Sequence, residues 1–285
     1  MLRKIIIFLA VYHSYSMCTF ILTSVPKTGT HLLARCLQLL VGKEPFYAHN
    51  LPDLPIFNEL DNNNFFVCTH LPYEIEYFQF LKKNKIKIFL MIRDPRDQVV
   101  SFANWVYKYF AQVMTFSELI NYLIFDGTQV YGTFSPFKTP VKGIADYYSR
   151  FLLWQDKVGI CTVRFENLVG PKGGGSDLLQ KQEIKKIARY LGIKIDKATM
   201  EYIQENLFGG TFTFREGLIG SWMKYFSEEQ KLYFSQHQVL QALLGSLHYK
   251  FYNLSVPLSN IFLWEYQLDG VSNIELCRYN KMLWN

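Results

Sequence analysis

Short apolar runs that stop abruptly at polar clusters are the feature that most limits how this 285-residue chain can fold. Four of these runs are rich in β-branched and aromatic residues and predict buried strands at residues 18–25, 65–69, 86–92 and 159–165. Helical periodicity lies between most of them, at residues 32–40, 74–83, 95–108, 143–157 and 181–191. Because alternating strands and helices favour right-handed crossovers, the pattern predicts a three-layer α/β domain with a central parallel sheet flanked by helices.

The composition is that of a globular protein. Hydrophobic residues make up 49% of the chain, which is ample material for a buried core. The formal net charge of +6 favours an anionic ligand without implying nucleic acid, and ordinary surface charge explains it equally well. Widely spaced cysteines without a zinc-binding pattern predict reduced thiols in a cytosol-like compartment and no metal site: Cys18, Cys36, Cys68, Cys161 and Cys277.

Both ends of the chain are predicted to lie outside the domain, which is placed at residues 17–252. Residues 1–16 have two basic residues and then an apolar run, which resembles a secretory signal but is too short to span a bilayer. Export and a simple N-terminal strand or helix are both open here, with a cytoplasmic location favoured. Residues 253–285 show no clean periodicity or motif and are predicted to be a C-terminal appendage. No other window predicts a membrane span.

The segment PKTGTH, residues 26–31, joins the first predicted strand to the first helix. Ligands of parallel sheets bind beyond the carboxyl ends of the strands, where this loop would lie. Backbone N–H groups around Gly29 and at the start of the helix would point at an anion, and Lys27 adds a positive charge. It is not a Walker A loop, because its lysine precedes its only glycine. A capped helix after a polar turn explains the same residues equally well.

Two further polar segments follow predicted strands. His70 comes after the second strand, and a histidine there can accept a proton at the mouth of the sheet. A surface or core histidine is the alternative. Arg93 ends the third strand and offers two donors to a phosphate, and Ser101 can add a hydroxyl. A solvated helix start, with Asp94 and Asp97 in structural roles, is the competing explanation.

Two glycine-containing loops lie further along the chain. Residues 211–222 place Arg215 beside aromatic residues and shortly before Gly217, which suits a loop that presents charge to a nucleotide phosphate. Residues 171–176, PKGGGS, lack the strand-to-helix context of a phosphate cradle. They are predicted to be a flexible connection.

Taken in order, these segments resemble the P-loop sulfotransferases that use 3'-phosphoadenosine 5'-phosphosulfate (PAPS), over roughly residues 18–250. PKTGTH is similar to the family's phosphosulfate loop P-K-S-G-T-T, and THLP at residues 69–72 to its K-T-H-L-P segment. RDPRDQVVS at residues 93–101 is similar to its 3'-phosphate motif, and residues 213–230 to its late R-K-G-x-x-G-D-W segment. VRFEN at residues 163–167 stands where the family has F/Y-E-D/N. Chance agreement of four segments in the correct order is a poor explanation.

The resemblance implies a P-loop NTPase-like fold and transfer of a sulfuryl group from PAPS to a hydroxyl or amine, without a metal. Lys27 would stabilise the leaving nucleotide, 3'-phosphoadenosine 5'-phosphate (PAP), and His70 would be the general base. The other donor-binding positions would be Thr28, Gly29, Thr30 and His31 at the 5' end, Arg93, Ser101, Arg215, Glu216 and Gly217 at the 3'-phosphate, and Phe165 near the adenine. The acceptor would be a small molecule, lipid or glycan, bound by residues 44–57, 72–83 and 105–140. Nucleic acid is not expected as a partner, and a homodimer stays open.

The chain departs from the family pattern at several positions. His31 replaces a threonine of the family pattern, and Leu32 replaces an aromatic residue. Cys68 and Glu216 each stand where the family has a lysine, and Ser221 replaces the aspartate of the G-D-W segment. A catalytically degenerate PAP- or PAPS-binding protein is therefore one alternative. A P-loop kinase is another, although it would need its lysine elsewhere in the loop.

Overall fold

The computed structural model describes residues 20–48, 65–128, 130–131, 140–155, 157–209 and 215–249. The signal-like residues 1–16, the C-terminal residues 253–285 and the start of the late loop at residues 211–214 lie outside these ranges. The domain boundaries therefore stay predictions.

Five parallel strands form one sheet in the order β2-β3-β1-β4-β5. They are β1 Phe20–Ser24, β2 Glu44–Ala48, β3 Phe65–Thr69, β4 Lys87–Ile92 and β5 Ile160–Arg164. The predicted parallel sheet is confirmed, and the four predicted strands differ from the observed ones by at most two residues at either end. Because β1 is the central strand, the loop that follows it has neighbours on both sides.

The sequence pattern did not indicate β2. This five-residue strand contains Pro45, and all of its residues are exposed or only partly buried. Proline is tolerated there because, among the described strands, β2 lies at the edge and pairs with β3 alone. β2 falls within the segment 44–57 that was predicted to line an acceptor pocket, and residues 49–57 lie outside the described ranges.

Helices cover both faces of the sheet. They are α1 Thr30–Val41, α2 Ile75–Lys83, α3 Pro95–Phe110, α4 Phe116–Phe125, α5 Gly143–Leu152, α6 Phe165–Leu168, α7 Asp177–Leu191, α8 Lys197–Leu207, α9 Trp222–Tyr225, α10 Glu228–Gln236 and α11 Gln238–Ser246. The helix predicted at residues 143–157 ends earlier, at Leu152, and the one predicted at 181–191 begins earlier, at Asp177. Within the described ranges, no helix is both long and apolar enough to cross a bilayer.

Alternate side chains of each strand enter two separate hydrophobic clusters, one on each face. In β4, Ile88 and Leu90 join one cluster, whereas Phe89 and Met91 join the other. Residues of α3, α4, α5, α10 and α11 complete the first cluster, and residues of α1, α7 and α8 complete the second. Burial of both faces explains why the central strands are nearly continuous apolar runs in the sequence.

The glycine-rich segment is packed, so the prediction of a flexible connection was wrong. Residues Pro171–Gly173 form a single 3-10 turn, and Gly173 is buried. The Ile219 N–H donates to the Gly173 carbonyl at 3.0 Å. A Cβ at Gly173 would lie 2.6 Å from the Gly217 carbonyl oxygen. The segment therefore supports the late loop, and its glycine allows the two backbones to approach closely.

We expect Gly173→Ala to lower the free energy of unfolding by about 1–3 kcal/mol, because the new methyl group overpacks a backbone contact. Calorimetric unfolding would measure the change, with Lys172→Ala at the exposed neighbouring position as the control. Equal midpoint temperatures for the two variants would contradict the packed role of this segment.

Candidate active site

Three polar loops meet at one edge of the sheet. Lys27 follows β1, His70 follows β3 and Arg93 follows β4. β1 pairs in parallel with both β3 and β4, so the carboxyl ends of these three strands lie side by side. The three residues to which the sequence assigned the main chemistry therefore occupy neighbouring loops at the same edge.

Lys27 lies in an electropositive, partly buried environment. Its φ of 70° is in the left-handed region, which costs roughly 1–2 kcal/mol for a residue with a Cβ. Its ammonium lies 5.4 Å from the centre of the Trp105 ring, within cation–π range. The pKa of Lys27 is lowered to about 8, first by burial and then by the positive charges of Arg93 and Arg215. Lys27 is therefore close enough to be repelled by both arginines.

The middle of the phosphate loop is held from inside the protein. Thr28 Oγ1 donates to the Val25 carbonyl at 2.7 Å and to the Met91 carbonyl at 3.2 Å, so this side chain ties the loop to β4. Gly29 has a φ of 106°, and a Cβ there would lie 2.6 Å from Phe165, so only glycine fits. α1 begins directly afterwards with no acidic residue in its first turn, which leaves its N-terminal partial positive charge uncompensated by a side chain of that turn.

His70 is anchored to the end of β1. Its Nδ1 lies 2.9 Å from the Ser24 carbonyl oxygen and 3.2 Å from Ser24 Oγ. Because a carbonyl oxygen can only accept, Nδ1 carries the proton, and Nε2 of the neutral ring carries the lone pair. Ser24 Oγ also lies 2.6 Å from Thr30 Oγ1, at the first residue of α1. The imidazole is thus held in the tautomer that a general base at Nε2 requires.

Arg93 is buried at the end of β4, with 6% of its surface exposed. Its Nη2 donates to the Leu218 carbonyl at 2.8 Å and lies 3.9 Å from Asp97 Oδ2. Its guanidinium lies 4.1 Å from the centre of the Phe165 ring, the same ring that contacts Gly29. Within the described part of the chain, Arg93 Nε is buried and has no hydrogen-bond partner. Since an unsatisfied buried donor is unfavourable, this edge of the guanidinium suits an anionic acceptor.

The start of α3 holds the late loop through Asp97, which is fully buried. The carboxylate accepts hydrogen bonds from Gly220 N at 2.8 Å, Ser221 Oγ at 2.9 Å and Trp222 N at 2.9 Å. Burial raises the pKa of Asp97, and the charge of Arg93 opposes that rise. The sequence indicated a structural role for Asp97 at the start of the helix. It did not indicate that the hydrogen-bond donors to Asp97 would be 123 or more residues away.

Arg215 makes contacts with two helices and with its own neighbour. Its Nη1 donates to Asn104 Oδ1 at 2.9 Å and to the Tyr225 hydroxyl at 3.3 Å, and lies 3.4 Å from the Glu216 carboxylate. Arg215 is therefore paired with the adjacent Glu216. Gly217 has a φ of 63°, which explains the glycine at this turn. The predicted contact of Arg215 and Gly217 with a phosphate stays a prediction.

His31 and Ser101, two further predicted donor-binding residues, lie on different helices, α1 and α3. His31 Nδ1 is 2.8 Å from the Tyr47 hydroxyl, so this side chain is turned towards β2. Burial raises the pKa of Tyr47, which keeps the phenol neutral. A cavity of about 420 Å³ adjoins this pair, lined by residues of α1, β2 and the end of α8. Ser101 lies two turns into α3 and is partly exposed.

A partly buried carboxylate, that of Glu166, connects the Arg93 loop to the last described residue. Glu166 Oε1 accepts the Asp94 N–H at 2.9 Å, and Oε2 accepts the Tyr249 hydroxyl at 2.8 Å. The Arg164 guanidinium lies 4.9 Å from the centre of the Tyr249 ring. Burial raises the pKa of Glu166, and both hydrogen bonds oppose that rise. The sequence had no signal for Tyr249, because it is 83 residues from its partner.

Comparison with known protein families decides what kind of domain this is. The model of the sulfotransferase domain matches residues 19–242, which include all the loops described above. The chain belongs to the sulfotransferase family. The family that the motifs indicated is thereby confirmed.

The known proteins similar to this sulfotransferase are distant. Mouse sulfotransferase 6B1 is 24% identical over 241 residues, which are 74% of this chain and 71% of that protein. The crystal structure of mouse sulfotransferase SULT7A1 complexed with PAP has a TM-score of 0.57 at 19% identity, covering 82% of this chain and 85% of that one. Retinol dehydratase in complex with androsterone and inactive cofactor PAP has a TM-score of 0.50 at 14% identity, covering 88% and 86%. These structural similarities show a shared fold.

The lowered pKa of Lys27 predicts that its ammonium titrates with a midpoint at about pH 8, against an ordinary value of 10.5. The group is charged below that midpoint and neutral above it, so attraction of an anion should weaken as the pH rises through 8. NMR titration of isotope-labelled lysine side chains would measure this, with Lys27→Arg assigning the signal. A midpoint near 10.5 would contradict the buried, cation-rich environment of Lys27.

Proposed function

We propose that this sulfotransferase transfers a sulfuryl group from PAPS to a hydroxyl or amine, with Lys27 and His70 as its catalytic residues. The observation that carries the proposal is the adjacency of Lys27, His70 and Arg93 on three neighbouring strand ends. A cation for the leaving group, a base and a phosphate-binding guanidinium are the groups that this reaction needs. The proposal requires no metal ion.

PAPS is supported as the donor by the chemistry of Arg93. Its Nε, buried and unpaired among the described residues, and its position against the Phe165 ring suit a phosphate that accepts more than one hydrogen bond. We assign the 3'-phosphate to Arg93, with Ser101, Arg215 and Gly217 nearby in the proposed complex. Both similar solved structures are complexes with PAP, which supports the same choice.

The 5' end of the donor is assigned to the phosphate loop. The left-handed Gly29 and the start of α1 offer backbone N–H groups, with Thr30 and His31 as the first helical residues. Thr28 contributes by holding the loop, since its hydroxyl donates to two backbone carbonyls. Phe165, predicted near the adenine, packs against both Gly29 and Arg93 and would shape the floor between the two phosphates.

The proposed reaction needs a group that removes a proton from the acceptor and a cation that stabilises the leaving group. PAPS supplies a sulfuryl group attached to a phosphate leaving group. His70 Nε2 takes the proton from the acceptor hydroxyl or amine as the new bond to sulfur forms. Lys27 neutralises the charge that develops on the bridging oxygen as its bond to sulfur breaks. The protein thus contributes mainly by positioning the reactants and stabilising charge.

The acceptor is proposed to approach from the side of α3 that carries Trp105. This ring lies against the Lys27 ammonium and is 39% exposed, and Tyr109 one turn later is 61% exposed. Both lie in the segment 105–140 that was predicted to line the acceptor pocket. An aromatic surface here suits the apolar part of a small molecule or lipid.

Incubation with radiolabelled PAPS and a panel of phenols, alcohols, amines, lipids and glycans should label at least one acceptor. Turnover should fall by at least about 100-fold in His70→Ala, the usual scale for loss of a general base, and Lys27→Ala should also lose turnover. His237→Ala, at the distant α10–α11 junction, is the matched control and should keep its activity. Undiminished transfer by His70→Ala would exclude His70 as the base.

The panel also tests the alternative of a non-catalytic PAP-binding protein. The ion pair between Arg215 and Glu216, at 3.4 Å, favours this alternative because it partly neutralises a predicted phosphate-binding cation. In that case PAP would bind to the protein, but none of the acceptors would be labelled.

We expect Arg93→Lys to weaken PAP binding by at least about tenfold, because lysine keeps the charge beside buried Asp97 but loses the planar pair of donors. Affinity for AMP, which has no 3'-phosphate, should change by less than about twofold. Calorimetric titration would measure both ligands. An equal loss of affinity for PAP and for AMP in Arg93→Lys would show that Arg93 does not bind the 3'-phosphate.

A further inference from the structure

Gln98 connects the two loops that would hold opposite ends of the donor. It is the fourth residue of α3 and is fully buried. Its Nε2 donates to the Pro26 carbonyl oxygen at 2.8 Å. Pro26 immediately precedes Lys27, whereas α3 begins two residues after Arg93. A single hydrogen bond therefore joins the phosphate loop to the helix that follows Arg93.

This bond constrains the backbone of Lys27. The Pro26 carbonyl and the Lys27 N–H belong to one planar peptide unit, so fixing the carbonyl also restricts rotation about the Lys27 φ. That angle is 70°, a conformation that residues with a Cβ rarely adopt without support. Loss of the bond would let this peptide rotate towards ordinary conformations. The direction in which the Lys27 side chain leaves the loop therefore depends on Gln98.

The oxygen of the Gln98 amide indicates that this side chain does not mainly stabilise the fold. Among the residues that the structure describes, Gln98 Oε1 is buried without a hydrogen-bond partner, which is an unfavourable state. A methionine of similar length would fill the same space without that oxygen. Substitution by methionine would lose one hydrogen bond and also remove this unfavourable group, so the two effects on folding should largely cancel.

The neighbouring residue supports the same reasoning. Asp97 holds the late loop through three hydrogen bonds, and Gln98 holds the phosphate loop. Two consecutive side chains at the start of α3 thus fix both loops relative to Arg93.

We propose that Gln98 is a positioning residue for donor binding, whose amide holds the Pro26–Lys27 peptide so that Lys27 reaches the 5' end of the donor while Arg93 holds its 3'-phosphate. This inference rests on the proposed function and goes beyond it, because Gln98 acts through Lys27 without contacting the reacting atoms.

A double-mutant cycle on the full chain tests the inference, with PAP binding measured by calorimetry. Gln98→Met should weaken PAP binding about tenfold when Lys27 is present, and less than about twofold in a Lys27→Ala background. Its unfolding midpoint should stay within about 2 °C of the wild type. Gln180→Met is the matched control, because Gln180 is also buried and its Nε2 donates to the Leu168 carbonyl at 3.0 Å. This control should leave PAP binding unchanged.

Equal weakening by Gln98→Met in both backgrounds would overturn the inference, as would unchanged PAP binding with Lys27 present. A large fall in the unfolding midpoint would show that Gln98 mainly stabilises the fold. If Gln98→Met does not fold, Gln98→Leu tests the same bond, because a leucine side chain has no hydrogen-bond donor for the Pro26 carbonyl. Failure of the wild-type protein to bind PAP would overturn the proposed function and this inference together. If the wild type binds PAP but Gln98→Met binds it equally well, only the inference about Gln98 is overturned.

Discussion

The parallel pairing of β1 with both β3 and β4 is the constraint on which the whole site depends. Thr23 is in register with Thr69 of β3 and with Leu90 of β4, so the three strands end at nearly the same height. The loops that follow them therefore start side by side, although their residues are far apart in sequence. A shift of β1 by one residue would exchange the side chains of its two faces, so the two buried clusters also fix the register.

The site concentrates positive charge in a place where burial makes that charge unfavourable. Arg93 and Arg215 both repel the Lys27 ammonium, which together with burial lowers the Lys27 pKa. The protein offsets this repulsion locally, with the Trp105 ring against Lys27 and the Phe165 ring against Arg93. Such a site is completed when an anion binds, so a doubly phosphorylated nucleotide should stabilise the folded chain by mass action.

Features with a local signal could be predicted from the sequence, and features that depend on distant partners could not. The central strands were predictable because both of their faces are buried. The placement of Lys27, His70 and Arg93 at one edge of the sheet was predictable because each follows such a strand in a motif. β2 lacked a signal because it is an exposed edge strand. The anchoring of the late loop by Asp97 depends on partners 123 or more residues away, and the inward turn of Thr28 depends on a carbonyl of β4. The side-chain directions at the site are thus a property of the assembled sheet.

The hydrogen bond between Tyr249 and Glu166 has a practical consequence for protein production. The recognisable domain ends at residue 242, so a truncated version designed from that boundary would still contain every motif. It would lack the Tyr249 hydroxyl, and the partly buried Glu166 carboxylate that supports the Asp94 backbone would lose one of its donors. Recombinant fragments intended for crystallisation with nucleotide should therefore extend through Tyr249, even though this residue belongs to no motif.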